Sequence, residues 1–430
     1  MRIGLALIAH VTLACSRAPP PSPAVDVEPS VPTDAGSAPR LAAPATRLVS
    51  HIVNGQVYIE EVPVEPGTDD AGSAPPLTTS APEPAACDQA LAAIEAALAA
   101  PVDHRVVSAA QEVARACDAT SADRPTLARR LDTRAAASSS LRRELLAVGL
   151  RVHETASRAM MLGAVADAEN DGPAAIDAAR HAVALAPNEP VYQIHLADLE
   201  RRYAVERRFD TIVQEHFIAR FEGDVKKDLA WDSLRILDEA WRRVGDLIDL
   251  RPSEPITVVF YTGPDYQAAT GAREWSGGQF DGKIRIRASS LTQGEAALRD
   301  LLYHEYLHAA VATSVRGPVP AWLHEGLAQR VEPGLDRLRD LAPLKGHTRT
   351  TLPSLQDLSQ GFSTLTDHDQ VRLSYACALD IVDELVRSRG ERSFAQLFEA
   401  MNKGKSFEAA FNDVYQSNER YLDVRWRGRY

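Results

Sequence analysis

The feature that most constrains this chain is a helix-forming stretch carrying two histidines one turn apart. Thr292–Thr313 has no proline and one early glycine, and Thr292 followed by Glu295 reads as a capping box that starts a helix. Midway along it stands His304-Glu305-Tyr306-Leu307-His308. Residues four apart share a helix face, so His304 and His308 can offer two imidazoles to one metal ion. Glu305 lies about 100° round the helix. It would reach water beside such an ion rather than the ion itself. Leu302, Tyr306, Leu307 and Ala309 are uncharged, as a buried helix requires, because an unpaired charge there is costly. After a short loop comes Val319-Pro320-Ala321-Trp322-Leu323-His324-Glu325-Gly326-Leu327-Ala328. Pro320 suits the first turn of a second helix, which would deliver the carboxylate of Glu325. Two neutral imidazoles, one carboxylate and an open position form the layout of a catalytic Zn²⁺ site. A structural zinc site would want four protein ligands and no adjacent acid.

H-E-x-x-H followed by P-x-W-L-x-E-G-L-A resembles the gluzincin metallopeptidases, specifically the bacterial peptidase MA-like group. Much of residues 215–430 fits that group. Phe217–Glu222 resembles its first strand, Leu229–Leu250 the helix that follows, and Pro255–Tyr261 a central strand. Gly278–Arg287 resembles the edge strand before the active-site helix, and Ser374-Tyr375-Ala376 and Ser406–Tyr415 resemble the closing helices. A metzincin would need Gly and a third His where Val311 and Ser314 stand.

The resemblance implies roles residue by residue. His304, His308 and Glu325 would bind Zn²⁺. Glu305 would be the general base, taking the proton of the zinc-bound water and passing it to the leaving amine. A downstream Tyr or His steadies the oxyanion in such enzymes. Tyr375 is the candidate, with His347 and His368 as runners-up, although a tyrosine here also reads as a core residue with a bonded hydroxyl. The edge strand would pair with extended substrate; by its own alternation Gln279–Arg287 reads as a half-buried strand. Gln329 stands where such enzymes often carry an acid that orients a ligand histidine, and offers only a side-chain oxygen. His324 is expected to be exposed.

The rest of the chain is organised differently. Its 430 residues allow up to three domains at roughly 150 residues each. From 87 to 209 it is rich in Ala, Leu and Arg with helical periodicity. Residues 156–189 resemble one tetratricopeptide repeat, a helical hairpin of roughly 34 residues. Leu162, Gly163, Ala175, Ala182 and Pro187 stand at its close-packing and stop positions, while Ala159, Ala166 and Ala179 replace its aromatics. The plain reading is a helical hairpin of an Ala-rich protein; such repeats usually mediate contacts, so this α-helical region is a candidate for binding a protein partner. Cys87 and Cys117 fall near the ends of adjacent helices, where an oxidising compartment would let them pair; Cys377 reads as a small buried hydrophobe.

Residues 1–15 read as a signal peptide, an apolar run too short to span a bilayer. The run ends Thr12-Leu13-Ala14-Cys15, which resembles the bacterial lipobox, with Thr12 where Leu is usual. The resemblance implies a lipidated Cys15 and a lipid-anchored envelope protein, in the periplasm or outer membrane. The plain reading is a cleaved signal with an incidental cysteine. Residues 16–86 hold much of the proline and read as a disordered tether. Within it, 49–62 flanks Asn54-Gly55 with β-rich runs, a hairpin signal. Net charge is −12, which argues against nucleic acid as a partner.

The expected architecture is therefore α+β. A zincin-like domain over 210–430, with a small twisted sheet, an active-site helix and a helical C-terminal half, follows the helical region and the tether. The expected function is an exported zinc-dependent peptidase acting on peptide or protein substrates. The alternative is a non-catalytic periplasmic scaffold whose helices bind partners and whose zincin domain is inert or structural.

Overall fold

The computed structural model describes residues 46–53, 56–63, 84–100, 102–118, 120–138, 140–223, 227–270, 278–287, 289, 294–362, 365 and 367–430. Cys15, the signal-like segment and much of the tether lie outside the described residues, as do Asn54 and Gly55. Strands β1 (Thr46–Val53) and β2 (Gln56–Pro63) pair antiparallel with Val53 opposite Gln56. No helix among the described residues is long and apolar enough to cross a membrane.

Helices α1 (Pro84–Leu98), α2 (His104–Ala116), α3 (Asp123–Ala137) and α4 (Arg142–Val152) pack round Ile94, Val106, Ala110, Leu131 and Leu145. A disulfide joins Cys87 to Cys117. Helices α5 (Ala156–Ala168) and α6 (Gly172–Leu185) form a close hairpin. Small residues make that approach feasible: a methyl group on Gly163 would stand 3.2 Å from the Ala175 carbonyl. Asp171 starts α6 by accepting the Ala174 N–H, with proline in the first turn. Helix α7 (Pro190–Glu206) then runs into the sheet.

Five strands form that sheet: β3 (Asp210–Val213), β4 (Phe217–Phe221), β5 (Ile256–Tyr261), β6 (Gly278–Phe280) and β7 (Ile284–Arg287), in the order β3-β4-β5-β7-β6. The inner pairs β4–β5 and β5–β7 are parallel and the outer two are antiparallel. Helix α8 (Lys227–Ile248) links β4 to β5, and α9 (Gly263–Thr270) follows β5. Then come α10 (Glu295–Ser314), α11 (Ala321–Val331), α12 (Arg337–Asp340), α13 (Leu355–Ser359), α14 (His368–Arg389), α15 (Arg392–Asn402), α16 (Phe407–Tyr415) and α17 (Glu419–Arg427).

The sheet is covered on both faces. Phe217, Phe221, Val258, Phe260, Ile284 and Ile286 join the main core with residues of α8 and α10. The opposite face carries Val259 and Tyr261, which pack with Phe209, Tyr266 and Ala269 beside Val205 of α7. A central strand between two layers reads as a near-continuous apolar run; every residue of β5 is buried, and the hydroxyl of its Thr257 meets Asn170 at 3.0 Å.

Three expectations are corrected here. Gln279–Arg287 is not one half-buried strand. It is a tight antiparallel hairpin of β6 and β7, whose turn includes Gly282 at φ 99°. Its alternate residues are charged yet buried: Asp281, Lys283 and Arg285 face protein partners rather than water. Second, α10 begins at Glu295 with Gly294 as the N-cap at φ 109° and no side-chain cap. Glu295 is thus the first helical residue rather than the third, and Thr292 lies outside the described residues. Third, β3 precedes the expected first strand and pairs with it through a short turn.

In the C-terminal half α11 packs on α14. A methyl group on Gly326 would lie 2.3 Å from the Ala378 carbonyl oxygen, so only glycine allows this approach.

Candidate metal centre

Helix α10 presents His304 and His308 on one face, as their spacing requires, and α11 brings Glu325 opposite them. One ligand atom from each of the three lies within 4.8 Å of the others. Glu325 Oε2 is 3.4 Å from His304 Nε2 and 3.7 Å from His308 Nε2. His308 Nε2 and Glu325 Oε2 are buried with no hydrogen-bond partner. Buried polar atoms are rarely left unpaired; here they face one another across a gap that a cation would fill. The donor set of two imidazoles and one carboxylate suits Zn²⁺. These three residues could hold a metal ion.

The outer nitrogens are held as well. His304 Nδ1 lies 2.7 Å from Glu332 Oε1, where the imidazole N–H donates to the carboxylate. His308 Nδ1 lies 3.3 Å from His324 Nδ1. For His308 Nε2 to stay free as a ligand, its Nδ1 must carry the proton and donate to His324. His324 is therefore not exposed as expected but buried behind the ligand. Burial, with the neighbouring His308, pulls its pKa down to about 3, so it is a neutral acceptor.

Glu332 was missed in the sequence. The orienting acid was sought at Gln329, four residues after Glu325, but Gln329 donates through Nε2 to the Glu325 and Tyr375 carbonyls. Glu332 stands seven residues after Glu325, two helical turns along the same face. That spacing is the signal that could have found it.

Charges at the centre are strongly perturbed. Burial alone would raise the Glu325 carboxyl, but the facing His308 and His304 hold it well below the usual range. Burial alone would lower the His304 pKa, yet Glu325 and Glu332 carry it well above its usual value. Glu305, also buried, is raised by desolvation against the opposing pull of both histidines. A methyl group on Gly278 of β6 would lie 3.2 Å from Glu305 Oε1, so the strand backbone passes directly beside this carboxylate.

Tyr375 of α14 is brought to the centre. Its ring centroid is 6.4 Å from that of His304 and 5.2 Å from that of Phe362. The other candidates are placed differently: His347 contacts Thr351 at 3.2 Å, and His368 is exposed in the first turn of α14. Cys377 is a buried thiol whose pKa burial pushes up to about 12.

Residues 238–429 match the Peptidase MA superfamily model. The match spans both histidines, Glu305, Glu325 and Tyr375, and a domain of this kind implies peptide or protein substrates. No curated protein matches the chain.

Proposed function

We propose that this chain is an exported zinc-dependent peptidase. The observation that carries the reading is the convergence of His304, His308 and Glu325, two of whose facing atoms are buried without a partner, beside the buried carboxylate of Glu305. When bound, Zn²⁺ supplies a Lewis acid to polarise the scissile carbonyl. Glu305 takes a proton from the attacking water and returns it to the leaving amine. Glu332 and His324 fix the ligand imidazoles with Nε2 turned inward. Tyr375 steadies the oxyanion through its hydroxyl.

The signal-like segment and Cys15 fit a lipid-anchored envelope protein, and the Cys87–Cys117 disulfide suits an oxidising compartment. The helices before the sheet are the proposed docking region for a protein partner.

Metal content and turnover test the reading together. Purified protein should hold about one zinc per chain by elemental mass spectrometry, and Glu325→Ala should lose it. Glu305→Gln should keep zinc and fold yet lower turnover of a quenched fluorescent peptide mixture by about 10²- to 10⁴-fold. Tyr375→Phe should lower kcat with zinc intact; unchanged turnover removes it from the mechanism. A folded parent without zinc would favour the scaffold alternative.

A further inference from the structure

On the sheet face away from α10, charged groups from three regions are buried together. Glu206, in the last turn of α7, accepts from Tyr261 Oη of β5 and pairs with Arg285 Nη1 of β7, both at 2.6 Å. The guanidinium of Arg285 reaches Asp281 at 2.7 Å through Nε, and Asp281 lies 3.8 Å from Arg202 of α7. Lys283 Nζ meets Asp167 of α5 at 2.9 Å, and Asp167 also faces Arg202 at 3.4 Å. Arg220 of β4 closes the cluster by donating to the Glu206 carbonyl at 2.7 Å.

Asp281, Lys283 and Arg285 form the turn of the β6–β7 hairpin and the first half of β7. The hairpin has three residues in β6 and four in β7. Such a pairing is marginal alone, and a one-residue slip would exchange its faces. In register, Arg285 lies opposite Gln279, and Ile286 opposite Gly278. Gly278 is the residue whose backbone passes beside Glu305. A continuous path of contacts therefore runs from α5 and α7, through the charged turn, to the carboxylate of Glu305.

We infer that α5 and α7 form a wall that sets the β6–β7 hairpin, and that Glu206, Asp281 and Arg285 are positioning residues for Glu305. The inference rests on the peptidase reading for its catalytic consequence alone. Apolar side chains would fill this face at less desolvation cost. Charges pair only at one register, and that selectivity is what a short hairpin beside a general base requires. A partner bound to α5–α7 would then act on the centre through this wall.

Glu206→Gln in the full chain is the test, because it keeps shape while Arg285 retains Asp281. Amide hydrogen exchange across 278–287 should speed up about tenfold or more, with α8 and α10 unchanged. Zinc content should hold, and kcat on the peptide mixture should fall about ten- to a hundredfold. Should Glu206→Gln not fold, Tyr261→Phe removes one donor from the same carboxylate and should move the same readouts in the same direction. Unchanged exchange in the hairpin overturns the inference, and so does a uniform rise over the whole sheet, which marks a merely structural cluster. A parent that binds zinc but cleaves nothing ends the peptidase reading, and the exchange result then decides the coupling by itself.

Discussion

The two faces of the five-stranded sheet are buried by different chemistry. Towards α8 and α10 the contacts are Phe217, Phe221, Val258, Phe260, Ile284 and Ile286. Towards α5 and α7 an apolar patch of Val259, Phe209 and Tyr266 is joined by Arg220, Arg285, Lys283 and Tyr261 against Asp167 and Glu206. Apolar contact is strong but tolerant of small shifts. Paired charge adds little net stability, since desolvation offsets most of its attraction, but it fixes geometry. The tolerant face carries α10, and the exacting face fixes the hairpin that passes beside Glu305. Helix α11 repeats the division on a smaller scale. It meets α14 through Gly326, while Arg330 pairs with Asp383 of α14 at 2.6 Å.

One pair of substitutions can break the comparison. Phe260→Ala and Arg285→Met should each cost about 3–5 kcal/mol near neutral pH, the first by leaving a cavity and the second by taking from Asp281 and Glu206 the cation closest to both. Denaturant unfolding at two pH values separates them. The Arg285→Met deficit should shrink as the pH falls below about 4, because Arg285 is one of the charges that hold the Asp167 carboxyl down. The Phe260→Ala deficit should not move. Equal behaviour of the two would show that the charged face acts as ordinary packing.

At the centre, the same contrast is between ligands and what holds them. Glu332→Ala should leave the fold intact and weaken zinc binding about 10- to 100-fold, as loss of an outer hydrogen bond to a ligand histidine does. Competition with a chromogenic chelator measures it. An unchanged affinity would mean that packing alone orients His304.

What the sequence disclosed follows the same line. The triad that could hold a metal ion was legible because helical spacing places His304 and His308 by itself and the second helix is local. Strand β5 and helix α8 were expected from the resemblance of Pro255–Tyr261 and Leu229–Leu250 to the family's central strand and to the helix before it. The charged hairpin was not. Alternation in GQFDGKIRIR is what a solvent-facing strand would show, and only tertiary structure supplies Glu206 and Asp167, distant in sequence, as partners. His324 misled for a related reason: a polar residue beside a ligand looks solvated until the facing histidine is known. Glu332 escaped because the acid was sought one turn, rather than two, beyond Glu325.

The smallest expected effect is also the most specific to the charged face. Burial alone would raise the Asp167 carboxyl, but Lys283, Arg202 and Arg285 hold it far below its ordinary value of 3.8. A carboxyl depressed in the folded state contributes stability above its unfolded pKa and loses it as pH falls. Between pH 7 and 5 Asp167 is ionised in both states and adds no slope. Below about pH 4 the unfolded chain binds the proton first, and stability should fall by up to about 1.4 kcal/mol per pH unit from this group. Asp167→Asn should remove that part of the acid slope while leaving the slope above pH 5 unchanged. Urea unfolding at half-unit steps from pH 5 to pH 3 measures it. Parallel curves for parent and variant would mean that Asp167 is not held by the network, and the wall between α5 and the hairpin would lose its anchor at Lys283.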